Sequence, residues 1–89
     1  MKKIEVRIVN RRGLHARAAA KLVTLCTRYQ CAVTIYANGR RADGRRLMAL
    51  LMLSASLGAQ VCIEVSGPDE ARAIGAITRL VTDGFGEGL

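Results

Sequence analysis

Asn38-Gly39 lies between two short stretches with alternating apolar residues, Ala32 to Ala37 and Arg40 to Ala42. This pair is the strongest local signal for a two-residue β-hairpin, because both turn positions tolerate positive φ. It commits the middle of the chain to antiparallel pairing, with Val33 and Ile35 facing inward. The return stretch is short and basic, as suits an edge strand that must not recruit another strand. Asp43-Gly44 then turns the chain again. Two further stretches read as strands by the same period of two. In Lys2 to Val9, Ile4, Val6 and Ile8 face one way and Lys3, Glu5 and Arg7 the other. In Gln60 to Val65, Val61, Ile63 and Val65 share a face until Ser66-Gly67-Pro68 breaks the run.

Helical segments separate these strands. Ala16 to Arg28 is rich in Ala and Leu and holds no Gly or Pro. Ala18, Leu22, Leu25 and Tyr29 line one face, and Arg17, Lys21, Thr24 and Arg28 form a polar stripe. Leu47 to Leu53 lacks β-branched residues, which favours a short helix. It is apolar nearly all round, so Leu47, Met48 and Leu51 are expected as an exposed patch for partners; the alternative is that the whole run is core. The last helix starts at Asp69 as N-cap, with Glu70 in its first turn. Ala73, Ile74, Ile77, Leu80 and Val81 make its buried stripe, and Gly84 ends it. Gly75 inside it costs about 1 kcal/mol against Ala, with close packing as the one reason in view. The order βαββαβα, with no internal repeat, predicts an α+β open-faced β-sandwich: one domain, residues 1–89, whose four-stranded antiparallel sheet is covered on one face by three helices.

Length and composition agree. In a chain of 89 residues, 51% hydrophobic, about 60–65% of the unfolded surface can be buried. Met1-Lys2-Lys3 leads into an alternating strand rather than the apolar stretch of a signal peptide. The longest apolar run, Leu47 to Leu53, is far too short to cross a bilayer. The expectation is a soluble cytoplasmic protein without membrane contact. Cys26, Cys31 and Cys62 lack metal-ligand spacing and are expected as buried, reduced thiols; a zinc site or redox switch is the rival use. No metal and no cofactor are expected.

Charge divides the chain. Residues 1–46 hold twelve Lys and Arg against Glu5 and Asp43, a net +10. Residues 47–89 hold Arg72 and Arg79 against five acids, a net −3, which gives +7 in all. Such asymmetry points to acidic partners or nucleic acid. Tyr29, Tyr36 and Phe85 are scattered and form no stacking motif, so base recognition has little support.

The one histidine, His15, follows Gly13-Leu14 and stands before the first helix, at or near its N-cap. Free N–H groups and the positive end of the helix dipole make that terminus an anion site. Arg17 adds a planar cation suited to phosphate, although a first-turn cation opposes the dipole. His15 can serve there as a plain cap or surface residue, or as an imidazole that is transiently phosphorylated.

Gly13-Leu14-His15-Ala16-Arg17, followed by Ala-Ala-Lys-Leu-Val, resembles the active-site signature of the HPr family, the histidine phosphocarriers of the bacterial sugar phosphotransferase system. A nitrogen-related branch, NPr, shares it. The resemblance recurs at Leu47 to Leu53, at Gly58, at Gly67-Pro68-Asp69-Glu70-Ala71 and at Gly84-Phe85-Gly86-Glu87. It implies the same open-faced fold and a carrier rather than a turnover enzyme. Enzyme I, charged by phosphoenolpyruvate, would load Nδ1 of His15, and an IIA-type acceptor would unload it. Arg17 and the backbone N–H groups of Ala16 and Arg17 would hold the phosphate. Ala20, Leu47, Met48 and Leu51 would meet partners, and the carrier would work as a monomer without nucleic acid. Two departures stand out: Ala18 replaces the family's usual proline, and Arg46 replaces a serine that a regulatory kinase modifies in many relatives. A regulatory phospho-relay or binding module of the nitrogen branch is the second reading, and a small basic nucleic-acid-binding domain the third.

Overall fold

The hairpin forms where Asn38-Gly39 places it. The computed structural model, which describes residues 1–87, pairs β2 (Ala32–Ala37) with β3 (Arg40–Asp43), Ala37 facing Arg40 across the turn. Asn38 and Gly39 take φ of 53° and 74°, the mirror-image turn whose twist matches its strands. β1 (Lys2–Arg7) and β4 (Gln60–Ser66) complete an antiparallel sheet in the order β1-β4-β2-β3. The inner face carries Val33, Ile35, Ala37, Ala42, Val61, Ile63 and Val65. Helices α1 (Ala16–Cys26), α2 (Leu47–Leu51) and α3 (Glu70–Thr82) add Ala18, Ala19, Leu22, Leu50, Ala73, Ile77 and Val81 to the same core. α3 packs on β1 and β4, and α1 packs on α2 and α3. Burying each large aliphatic side chain stabilises by about 1.5–3 kcal/mol. Four strands with three helices on one face are the expected architecture.

Several local expectations change. β1 ends at Arg7, and Ile4, opposite the buried Ile63 and so on the helix-covered face, is still 39% exposed. β1 is an edge strand, and Ile4 borders an open groove beside Ile74 and Gly75. Ile8 is buried just beyond the strand, exchanging backbone bonds with Ala59 and Gly58 at 2.9 and 2.8 Å. α1 stops at Cys26, so Tyr29 lies past its end, half-buried. Asp69 holds the N-cap position of α3, but its side chain makes no cap. Its carboxylate instead accepts from the Gln30 N–H at 2.8 Å, while Glu70 reaches back to the Gly67 N–H at 3.0 Å. Close packing does not explain Gly75, since an added Cβ would meet nothing within 4 Å.

All three thiols are free. Cys26 and Cys31 are buried, but Cys62 is half-buried on the uncovered face, beside Glu5 and Tyr36. Burial pushes the Cys26 thiol up to about 12, which keeps it protonated and unreactive. Among the described residues, no three His, Cys, Asp or Glu side chains gather as a metal site. None of the described helices is long and apolar enough to cross a membrane. Part of the basic excess is structural. Arg45 donates to the carbonyls of Tyr29 and Cys31 at 2.7 Å each, Arg40 to that of Met52 at 2.9 Å, and Lys21 to that of Phe85 at 2.6 Å.

Candidate functional site

After β1 the chain turns at Asn10, whose carbonyl accepts from the Gly13 N–H at 3.2 Å. Gly13 has φ +64°, and a Cβ there would come within 2.5 Å of the Ala55 carbonyl oxygen. Only glycine fits both demands. Leu14 is buried, and its N–H donates to the same Ala55 carbonyl at 2.8 Å. The loop before α1 is thus pinned against the segment after α2, which fixes the next residue, His15.

His15 is the N-cap of α1, with extended backbone at φ −82° and ψ −178°. Its carbonyl takes the first helical bond, from the Ala19 N–H at 2.8 Å. Its ring takes over the usual role of a Ser or Asp cap: Nδ1 accepts from the Arg17 N–H at 3.3 Å. A backbone N–H always carries its proton, so Nδ1 presents a lone pair and the ring proton sits on Nε2. That nitrogen meets the Glu87 carboxylate. The His15 side chain is only 20% exposed.

Glu87 arrives from the far end of the chain. After α3, Gly84, Phe85 and Gly86 take φ of 64°, 56° and 73° in succession and form a short 3-10 turn. Phe85 is 1% exposed, so the turn is anchored in the core. The Lys21 ammonium holds the Phe85 carbonyl. The Glu87 carboxylate then lies between His15 and the Asn10 amide, whose Nδ2 donates to Oε1 at 2.9 Å. The Asn10 bond, with His15 and Lys21 nearby, holds the Glu87 carboxyl below the usual glutamate range. It is the anionic partner of the ring.

Arg17 and Ala16 sit exposed in the first turn of α1, next to the Nδ1 edge of His15. Among the described residues the Arg17 guanidinium has no hydrogen-bond partner. Ala20, one turn on, is exposed and lines with Arg17, Lys21, Thr24, Arg28 and Leu80 an open groove of about 440 Å³. Ala18 is fully buried, so the position that differs from the usual proline faces the core rather than the His15 ring.

α2 holds the remaining expected residues. Leu47 and Met48 are exposed, Leu51 is half-buried, and Leu50 and Leu53 are core, so the run divides between patch and core. The sequence reading missed Met52, 62% exposed and one turn from Met48; its i,i+4 spacing from Met48 was the available signal. Arg46 is the exposed N-cap of α2 and gives no side-chain cap. Glu87 and Asn10 were also missed as site residues. The signal for Glu87 was a glycine at a helix end followed by a large apolar residue, a pattern that folds a tail back onto its helix.

The arrangement presents one nucleophilic nitrogen at a helix N-terminus, with its ring proton held on the opposite side and a free guanidinium nearby. Comparison with known proteins agrees. The family model described as "PTS HPr component phosphorylation site" matches residues 2–83. The phosphocarrier protein HPr of Cupriavidus necator is 43% identical over 81 residues, 91% of each chain. The crystal structure of HPr from Thermoanaerobacter tengcongensis superimposes with a TM-score of 0.95 at 31% identity, covering 100% of both chains. A structure described as an HPr dimer from the same organism has a TM-score of 0.77 and 31% identity, covering 98% of this chain and 100% of that one. The chain therefore belongs to the HPr family, the phosphocarrier proteins of the phosphotransferase system, which carry phosphoryl groups and are not turnover enzymes.

Proposed function

We propose that Nδ1 of His15 is the atom that carries the phosphoryl group, received from Enzyme I charged by phosphoenolpyruvate and delivered to an IIA-type acceptor. The observation that carries this reading is the double fixing of the ring: Nδ1 toward the N-terminus of α1, Nε2–H toward Glu87. In the loading step the Nδ1 lone pair forms the N–P bond. The donor's bond to phosphorus breaks and its electron pair leaves with the donor. No proton moves at His15: Nε2–H stays in place, and the ring becomes cationic while Glu87 balances it. Delivery reverses these changes and restores the neutral ring. The bound phosphoryl oxygens fall to the N–H groups of Ala16 and Arg17 and to the Arg17 guanidinium, charge stabilisation of the kind phosphoryl transfer requires. No metal or cofactor enters on this side of the reaction.

Partners dock on Ala20, Leu47, Met48, Leu51 and Met52, with Arg46 extending the basic surface toward acidic residues. The carrier acts in the cytoplasm, as a monomer, and Arg46 leaves it without a serine switch at that position. Incubation with Enzyme I and phosphoenolpyruvate, followed by intact-mass measurement, tests this reading. The natural chain should gain the mass of one phosphoryl group, and His15→Ala should gain none while keeping its fold. An adduct that survives in His15→Ala rejects His15 as carrier.

A further inference from the structure

Asn10 is the one fully buried polar side chain among the described residues. It lies outside the sheet, at the start of the His15 loop. Its Nδ2 donates twice, to the Gly13 carbonyl at 2.9 Å and to Oε1 of Glu87 at 2.9 Å. The other Glu87 oxygen receives the His15 ring. The Asn10 carbonyl oxygen, Oδ1, is buried and has no partner. Turning the amide over would not help, because Oδ1 would then face two acceptors. The amide is thus oriented by what it must donate to, and an unpaired oxygen is the consequence. A buried polar atom left unsatisfied is unfavourable. Where a chain retains one, the gain lies in what the rest of that side chain does.

Here the rest of the side chain joins the two ends of the sequence at the reactive ring. One amide group sets the Gly13 carbonyl, just upstream of Leu14 and His15, and the carboxylate that accepts the ring N–H. We propose that Asn10 is a positioning residue for phosphoryl transfer: it holds the Glu87 carboxylate against Nε2–H of His15, so that Nδ1 keeps its lone pair toward the donor. Asn10 touches neither phosphoryl group nor partner; it acts on the ring through Glu87, while its bond to the Gly13 carbonyl helps to hold the loop. The inference rests on the reading of His15 as carrier. Its logic is that of the hydrogen-bonded partners that fix ring tautomers in metal and triad sites.

The test combines a spectrum and a double-mutant cycle. Nitrogen-15 spectra of the whole protein, taken where the ring is neutral, report which ring nitrogen bears the proton. The natural chain should show Nε2–H with the downfield shift of a bond to a carboxylate, and Asn10→Ala and Glu87→Ala should each lose much of that shift. Asn10→Asp has nearly the same shape but cannot donate when ionised, and should also lose it; it serves if Asn10→Ala does not fold. Transfer rates from Enzyme I come second. Asn10→Ala should slow loading by about tenfold in the natural chain and by clearly less in a Glu87→Ala background, where only the bond to the Gly13 carbonyl is lost. A purely structural Asn10 would slow both backgrounds equally and leave the Nε2–H shift alone, and either result overturns the proposal. If the natural chain shows the Nε2–H tautomer yet is not phosphorylated at His15, the carrier reading has failed instead.

Discussion

The two helices that carry the proposed site and docking patch begin in opposite ways. α1 starts on a histidine whose ring accepts from the Arg17 N–H, in a loop pinned through Gly13, Leu14 and Asn10. α2 starts on Arg46, which gives no cap, and displays Leu47, Met48 and Met52 to solvent. The first terminus is polar, closed and fixed from several directions. The second is open, lacks a side-chain cap and leads into exposed apolar residues. The proposed function gives the two termini different tasks. On that reading a phosphoryl group meets Nδ1 along one line, which suits an over-determined ring. The proposed docking patch receives more than one partner, and unbranched Met and Leu side chains adapt to different surfaces.

Four changes would break or sharpen that contrast. The largest effect is expected from Gly13→Ala. A left-handed backbone at a residue with Cβ costs about 1–3 kcal/mol, and the contact with the Ala55 carbonyl adds to it. Thermal melting should show the loss, and loading of His15 should fall with it. An unchanged melting temperature would mean that the loop is not pinned as described. Next comes Leu47→Asp, which should weaken Enzyme I binding by about 1–2 kcal/mol at every salt concentration while leaving loop and fold intact. Calorimetric titration at two ionic strengths checks it; a loss that vanishes in salt would assign the patch to electrostatics.

Arg46→Asp makes α2 more like α1 by supplying a cap. Stability should rise by about 0.5–1 kcal/mol, while association with Enzyme I slows. That slowing should shrink as salt screens charges beyond about 8 Å. Stopped-flow association and a melt measure the two arms; a variant that gains stability but associates at the natural rate removes Arg46 from the docking surface. The smallest effect concerns pH. The Glu87 carboxyl lies below the usual glutamate range in the folded chain, chiefly through Asn10. The unfolded chain therefore takes up the proton first as pH falls. The contribution of Glu87 to stability is complete above the ordinary glutamate value and fades as pH drops through its folded one. Glu87→Gln should flatten that part of the acid limb in pH-dependent melts; an unaltered limb would detach Glu87 from the site.

How much of this was legible depended on the range of the interaction. The Asn38-Gly39 hairpin and the helix beginning at Ala16 are set by neighbours in sequence, and both formed where expected. His15 as N-cap was readable for the same reason. Alternation placed Ile4 on the covered face but did not give its exposure, because it does not say how fully an edge strand is covered. The tail's contact with His15 was not legible at that level. Glu87 meets His15 across seventy-two positions, through a turn in which Phe85 adopts a left-handed backbone that its own residue type disfavours. Only burial of that ring against the core makes the turn favourable, and burial is a property of the assembled fold. The arginines show the same limit. Composition counts Arg40 and Arg45 as charge but does not show that both also hold backbone carbonyls.

The sheet leaves two strands with one side unpaired, and both are net positive: β1 carries Lys2, Lys3 and Arg7 against Glu5, and β3 carries Arg40 and Arg41 against Asp43. Two molecules that approach edge to edge therefore meet as like charges at the moment their backbones could pair. The repulsion is a kinetic barrier to self-association, and it depends on the medium. Added salt lowers it, so crowding this chain in concentrated electrolyte favours contacts between copies that dilute buffer suppresses.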